Sequence, residues 1–234
     1  MALPKLNDVP KYETVVPSTQ EKIRFRPFLV KEEKVLLIAL ESGENSQVSN
    51  AIIDIIKSCT EGVNADNLTA VDIEYLFLKI RSKAVGETSN IRIKCKECDA
   101  ENELKISLDS VKVPDFPKDN IIQLSDTVTA EMRVPAFKSL INNPLIQQGS
   151  AASQIFGLMI DAIAAIHTEE ERIDAKDVSR EELAEFLDSM TGSQFAKLKK
   201  YVESIPSLKH KEEYTCKDCG KHNDVEIQGL QNFF

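Results

Sequence analysis

Apolar positions along this chain switch between a period of two and a period near 3.6. From Tyr12 to Phe28 the period is two. Tyr12, Thr14 and Val16 alternate with polar residues, Pro17-Ser18-Thr19-Gln20 supplies turn chemistry, and Ile23, Phe25 and Phe28 follow. This pattern predicts a β-hairpin. Three helices come next. Residues 31–41 hold the run Val35 to Leu40, apolar on every side, which implies a buried helix. Residues 46–60 set Val48, Ala51, Ile52, Ile55, Ile56 and Cys59 on one stripe at helical spacing. Residues 67–84 follow Asp66 or Asn67, either a good N-cap, and turn Val71, Ile73, Leu76, Phe77 and Ile80 inward. Gly86 is the C-cap expected just beyond them.

Alternation returns over about 90–109, which predicts a second hairpin. Pro114 and Pro117 then break the chain. Two short strands are predicted at Ile121 to Leu124 and Thr127 to Val134, ended by Pro135. Helical spacing dominates roughly 136–204. Residues 150–167 read as one unusually apolar helix, the centre of this block, with His167 at its C-terminus, where a cation is favourable. Ser179 and Glu182 form a capping box for a helix over 179–190, with Leu183, Phe186, Leu187 and Met190 inward. Thr191 or Ser193 opens another helix, with Phe195, Leu198 and Val202 inward, and Pro206 closes it. A last hairpin covers about 208–228, and the chain ends on Phe233-Phe234, a pair suited to a core or to a partner's pocket.

Chemistry enters at the two hairpins. Each carries a Cys-x-x-Cys turn between strands, Cys95-Lys96-Glu97-Cys98 in one and Cys216-Lys217-Asp218-Cys219 in the other. A two-residue gap lets two thiolates converge on one ion, and two such turns supply the four ligands of a closed tetrahedral zinc site. Cys95, Cys98, Cys216 and Cys219 are therefore the expected ligands of a structural Zn2+. The chain between the two turns must leave one point and come back to it. The expected class is α+β: two helical blocks around a small β subdomain of two zinc-ribbon-like hairpins, with an N-terminal β-hairpin. The expected divisions are 1–29 for the hairpin arm, 30–86 for the first helical block, 87–134 with 205–234 for the ribbon subdomain, and 135–204 for an inserted helical block.

Composition narrows the functional classes. The 234 residues are 42% hydrophobic and 29% charged, ordinary values for a globular chain. Net charge is −9, which opposes binding to a phosphate backbone. Lys197, Lys199, Lys200, Lys209, His210 and Lys211 form one local basic cluster, expected as a solvated face. No apolar run approaches the ~20 residues of a membrane span, and Met1 to Lys11 lacks a signal-peptide core. The expectation is a protein that stays in the cytosol where it is made, a compartment in which Cys-x-x-Cys pairs bind metal more often than they form disulfides. Cys59, on the helical stripe, reads as a small buried hydrophobe.

Catalytic machinery is not expected. His167, His210 and His222 are the three histidines, and none stands at a recognisable spacing from a nucleophile. The chain has no Gly-x-Ser-x-Gly, P-loop or dinucleotide fingerprint. Glu169-Glu170-Glu171 reads as a solvated loop, and Asp174, Asp177, Glu181 and Glu182 lack the spacing of a calcium loop. Two other readings stay open: a zinc-ribbon nucleic-acid-binding or transcription-associated module, and a redox or metal-dependent enzyme. The first would show salt-dependent nucleic-acid binding, the second a metal that exchanges readily or a dithiol that cycles.

One stretch adds a resemblance. Tyr75-Leu76-Phe77-Leu78-Lys79-Ile80-Arg81-Ser82-Lys83-Ala84-Val85-Gly86-Glu87 follows Ile23-Arg24-Phe25-Arg26-Pro27-Phe28 and precedes the first Cys-x-x-Cys; the chain closes on the second and then Leu-x-x-Phe-Phe. In combination and order, these motifs resemble the baseplate hub assembly proteins of T-even-like contractile-tailed phages. The resemblance implies a non-enzymatic role, with phage baseplate hub proteins as partners and no nucleic acid or membrane. It implies the cysteine tetrad as the family's metal-knuckle positions. It leaves open a homo-oligomer and a place in the virion tail baseplate.

Overall fold

The computed structural model describes residues 8–228. The Phe233-Phe234 pair lies outside them. The chain divides into two units: Met1–Pro114 with Ser207–Phe234, and Asp115–Pro206.

In the first unit, strands β1 (Tyr12–Val15) and β2 (Lys22–Phe25) form the expected antiparallel hairpin. Its turn is tied down by a buried acid. Asp72 accepts the backbone N–H and hydroxyl of Ser18 at 2.8 and 2.6 Å, and the N–H and hydroxyl of Thr69 at 2.9 and 2.7 Å. Helix α1 (Val30–Glu41) packs on α2 (Asn45–Cys59). A two-residue strand, β3 (Thr60–Glu61), then adds to the outer side of β2. Helix α3 (Ala70–Ala84) packs on α2, and the predicted stripes of both helices form the core here.

Two expectations in this region are corrected. The cap of α3 is Thr69, whose hydroxyl forms a capping box with Asp72, while Asn64 caps a separate 3-10 turn at Ala65–Asn67. The apolar run in α1 is not buried on all sides. Glu32, Leu36 and Ala39 face inward, and Val35, Leu37, Ile38 and Leu40 are exposed. Only one face of α1 lies on α2, whereas six consecutive apolar residues encircle a helix.

The first cysteine hairpin is β4 (Thr88–Lys94) with β5 (Glu101–Ser107), seven residues in register.

The second unit holds a four-stranded antiparallel sheet ordered β6-β7-β8-β9. Its strands are β6 (Ile121–Gln123), β7 (Thr129–Met132), β8 (Ile163–His167) and β9 (Arg172–Asp174). Helices α4 (Phe137–Ile141), α5 (Pro144–Gln148) and α6 (Ala151–Ala162) precede β8; α7 (Arg180–Asp188) and α8 (Gly192–Glu203) follow β9. The capping box at Ser179/Glu182 forms as predicted, and Thr191, one of the two expected starts of the next helix, caps it in a second capping box with Gln194. A single apolar cluster of Met132, Met159, Ile160, Leu183, Leu187, Leu198 and neighbours fills this unit.

The expected helix over 150–167 is also corrected. It stops at Ala162, and Ile163–His167 run as a strand between β7 and β9. His167 is thus a strand residue, with Nε2 2.8 Å from Glu131 of β7. Strand β7 pairs with this strand and β6 pairs with β7, neither with the cysteine hairpins, so 121–134 joins the inserted segment.

The chain returns to the first unit through β10 (Lys209–Thr215) and β11 (His222–Gln228), the second cysteine hairpin, again seven residues in register. Lys112 pairs with Lys209 where the chain leaves and re-enters this unit.

Candidate metal centre

Each cysteine turn is built by the same local rules. After Cys98 the chain turns through Asp99 at φ 56°, and after Cys219 through Gly220 at φ 71°. These are left-handed positions, which Gly takes without cost and Asp tolerates. The turn then closes on itself in both copies. Cys95 N–H donates to Ala100 O and Asp99 N–H to Cys95 O, at 2.9 and 3.0 Å; Cys216 N–H donates to Lys221 O and Gly220 N–H to Cys216 O, at 2.8 and 2.9 Å. The two turns meet sulfur to sulfur. Cys95 Sγ lies 3.7 Å from Cys219 Sγ, and Cys98 Sγ lies 3.7 Å from Cys216 Sγ. All four sulfurs fall within 4.8 Å of one another.

Those spacings discriminate between chemistries. A disulfide needs sulfurs about 2.05 Å apart, and all five cysteines are free thiols. A tetrahedron with metal–sulfur bonds of about 2.3 Å has edges near 3.8 Å. The tetrad fits zinc on this measure, and a set of four thiols is a zinc donor set.

Electrostatics agree. Cys216 is lowered to about 6, because the N–H groups of Cys219 and Asp218 point at its sulfur and Asn102 adds a third donor. Cys95 is lowered in the same way by the N–H groups of Glu97 and Cys98. Cys98 is pushed up to about 12: the Ala100 N–H pulls it down, but Cys219, burial and the Cys216 and Cys95 sulfurs together outweigh that bond. Cys219 is raised although the Lys221 N–H favours its thiolate. Two of the four thiols are thus favoured as thiolates, and they oppose ionisation of the other two. A dication among them removes the opposition and favours all four thiolates.

Two residues of this centre escape the sequence reading. Asn102 is buried; its Nδ2 donates to Cys216 Sγ at 3.5 Å, and its Oδ1 accepts the Lys217 N–H at 3.0 Å. Asn223 is buried on the other side, with its Nδ2 3.7 Å from Cys95 Sγ. Each amide thus reaches across to the opposite turn. Each also anchors in its own turn, on Ala100 O and on Lys221 O, both at 2.9 Å. The signal was available: each asparagine stands seven positions after the first cysteine of its own motif.

Other singled-out residues lie elsewhere. His222 faces Glu213 and Asp224 at 3.5 and 3.9 Å, all three exposed. His210 is buried, 3.0 Å from Glu212. Cys59 is buried, and burial pushes its thiol up to about 11, which keeps it unreactive near neutral pH. The basic cluster is divided between α8 and β10. Lys197 donates to Gln123 O, Lys199 pairs with Glu203, and Lys209 and Lys211 share Glu226. Glu169, Glu170 and Glu171 are exposed between β8 and β9, and Glu182 is spent on its capping box. Among the described residues, no helix is long and apolar enough to cross a membrane.

Fold and site together define an α+β protein in which four cysteines from two hairpins converge on a site that could hold a metal ion. The family model described as T4 bacteriophage base plate protein matches residues 9–234, so the chain belongs to that family. No curated protein and no solved structure matches it.

Proposed function

We propose that this protein serves the central hub of the phage tail baseplate, as an assembly factor or a structural subunit. It acts through protein–protein recognition and is not an enzyme. The family match over residues 9–234 is the observation that carries this reading. The cysteine centre is in keeping with it. A tetrahedron closed by Cys95, Cys98, Cys216 and Cys219 has no open position for water or substrate. Zinc held there joins residues more than a hundred positions apart, and its binding energy becomes folding energy of the discontinuous unit. The protein works in the host cytoplasm while tails are built.

Quantitative peptide mass spectrometry on purified particles and on infected cells tests the role. A stoichiometric amount in particles identifies a structural subunit. Abundance in cells with none in particles identifies an assembly factor that lets go. Co-purification with hub proteins is expected in either case, and failure to hold any tail protein from infected cells would end the hub reading. Metal analysis of the purified chain is expected to return one zinc per protein.

A further inference from the structure

The outward face of α1 is too apolar for a face that meets only water. Val30 is 78% exposed, Val35 49%, Leu37 52%, Ile38 57% and Leu40 46%, and Leu29 just before the helix is 36% exposed. Successive helical residues turn by 100°, which places Val30, Lys34, Leu37, Ile38 and Glu41 on the stripe opposite the buried one. Val35 and Leu40 flank that stripe. Together the six apolar side chains expose roughly 500 Å², near the upper end of the patches that ordinary monomers show. The rest of the first unit's core is well closed, with Ile56, Ile73, Phe77 and Ile80 fully buried. Elsewhere in this unit, among the described residues, only Val85 is comparably exposed, and it stands by itself after α3.

Charge on the outward stripe is ordered. Lys34 lies toward its start and Glu41 ends it, while Glu32 and Glu33 of the first turn lie off the stripe. Lys34 and Glu41 are both exposed. An apolar centre with one sign of charge at each end complements itself when turned end over end. We propose that α1 is the contact of a homodimer, packed antiparallel against α1 of a second copy about a two-fold axis between Leu37 and Ile38. In that register Lys34, at the middle of the stripe, meets the partner's Glu41, Leu37 packs beside the partner's Leu37 on one side of the seam, and Ile38 packs beside the partner's Ile38 on the other. The two-fold repeats every pairing.

A parallel arrangement would set lysine against lysine and glutamate against glutamate. Two such faces can bury at most about 1,000 Å² of apolar surface, the lower limit for a specific interface, so the dimer is weak and populated at micromolar concentration or above. The pair of Lys34 with Glu41, at the middle of the stripe, is the one that reports the register. This pairing does not depend on the hub reading.

Sedimentation equilibrium of the zinc-loaded full chain, up to about 100 µM, tests the proposal. The wild type is expected to show a monomer–dimer equilibrium. Leu37→Asp is expected to weaken it at least about tenfold with unchanged circular dichroism and melting, because the side chain is half exposed in the monomer. Lys34→Glu and Glu41→Lys are each expected to weaken it several-fold. The double variant is expected to return to within about threefold of wild type, since reversed charges meet reversed charges across the two-fold. A wild type that stays monomeric, a dimer indifferent to Leu37→Asp, or a double variant no better than its parents would overturn the proposal. A monomeric wild type whose α1 face instead binds another tail protein would overturn it in favour of a contact between different chains.

Discussion

Glu74 stands half-buried on α3, where its carboxylate accepts the Leu208 N–H, and burial pushes its pKa from 4.5 up to about 7 despite that bond. A raised carboxyl pKa means the folded state prefers the neutral form. The stability this preference contributes is full below about pH 4.5 and is lost as pH rises through about 7. Glu74→Gln keeps an oxygen for the Leu208 N–H and has no charge to bury. The variant is expected to be more stable than wild type at pH 8, on the order of 2 kcal/mol, and equal to it near pH 4.5. Melting at both pH values checks this; the same gain at both would show that charge is not the cause. Asn102 makes a different kind of contribution. Its amide orients the Cys216 thiolate and caps the turn that holds it. Asn102→Ala is expected to weaken zinc about 10- to 100-fold in a chelator competition while four ligands remain.

At the scale of elements, the metal centre is two hairpins that close only on each other. Each is a two-stranded sheet, which is marginal in water without a metal or a further layer. Cys216→Ser removes one thiolate from the tetrahedron, and the discontinuous unit that holds it is expected to lose its cooperative transition or to drive aggregation. A soluble Cys216→Ser variant with unchanged melting would refute a structural metal. These hairpins were legible in the sequence because alternation and Cys-x-x-Cys turns are local signals. The stripe on α2 was legible for the same reason: one face of that helix meets the core, and its spacing says so. Strand β8 was not. Ile163-Ala164-Ala165-Ile166 prolongs the apolar run of α6, and a short run of that kind suits helix or strand equally. Pairing with β7 and β9, distant in sequence, decides it. The exposure of α1 was illegible because an apolar run does not record how many of its sides find partners. The paired asparagines were legible only through their common spacing, since a lone asparagine near a turn ordinarily serves the turn.

At the scale of the molecule, the discontinuous unit is interrupted between Pro114 and Ser207, and Lys112 pairs with Lys209 on its two sides of the break. The crossing strands are thus already at hairpin distance. The inserted segment 115–206 has its own sheet and its own apolar cluster, drawn wholly from its own residues, and none of the four cysteines. Each unit therefore holds the means to fold without the other. Replacing 115–206 with a short turn of about four residues, such as one centred on Asn-Gly, is expected to leave a chain that binds one zinc and melts cooperatively. Shortening the loop that zinc closes also lowers the entropy cost of closure, by about 0.6 kcal/mol for each halving of its length. The isolated 115–206 segment is expected to fold without metal, with a melting curve indifferent to chelator. In the full chain, chelator is then expected to remove one transition and spare the other. An isolated segment without cooperative melting, or a full chain that loses all its structure on chelation, would mean that the cysteine centre stabilises both units.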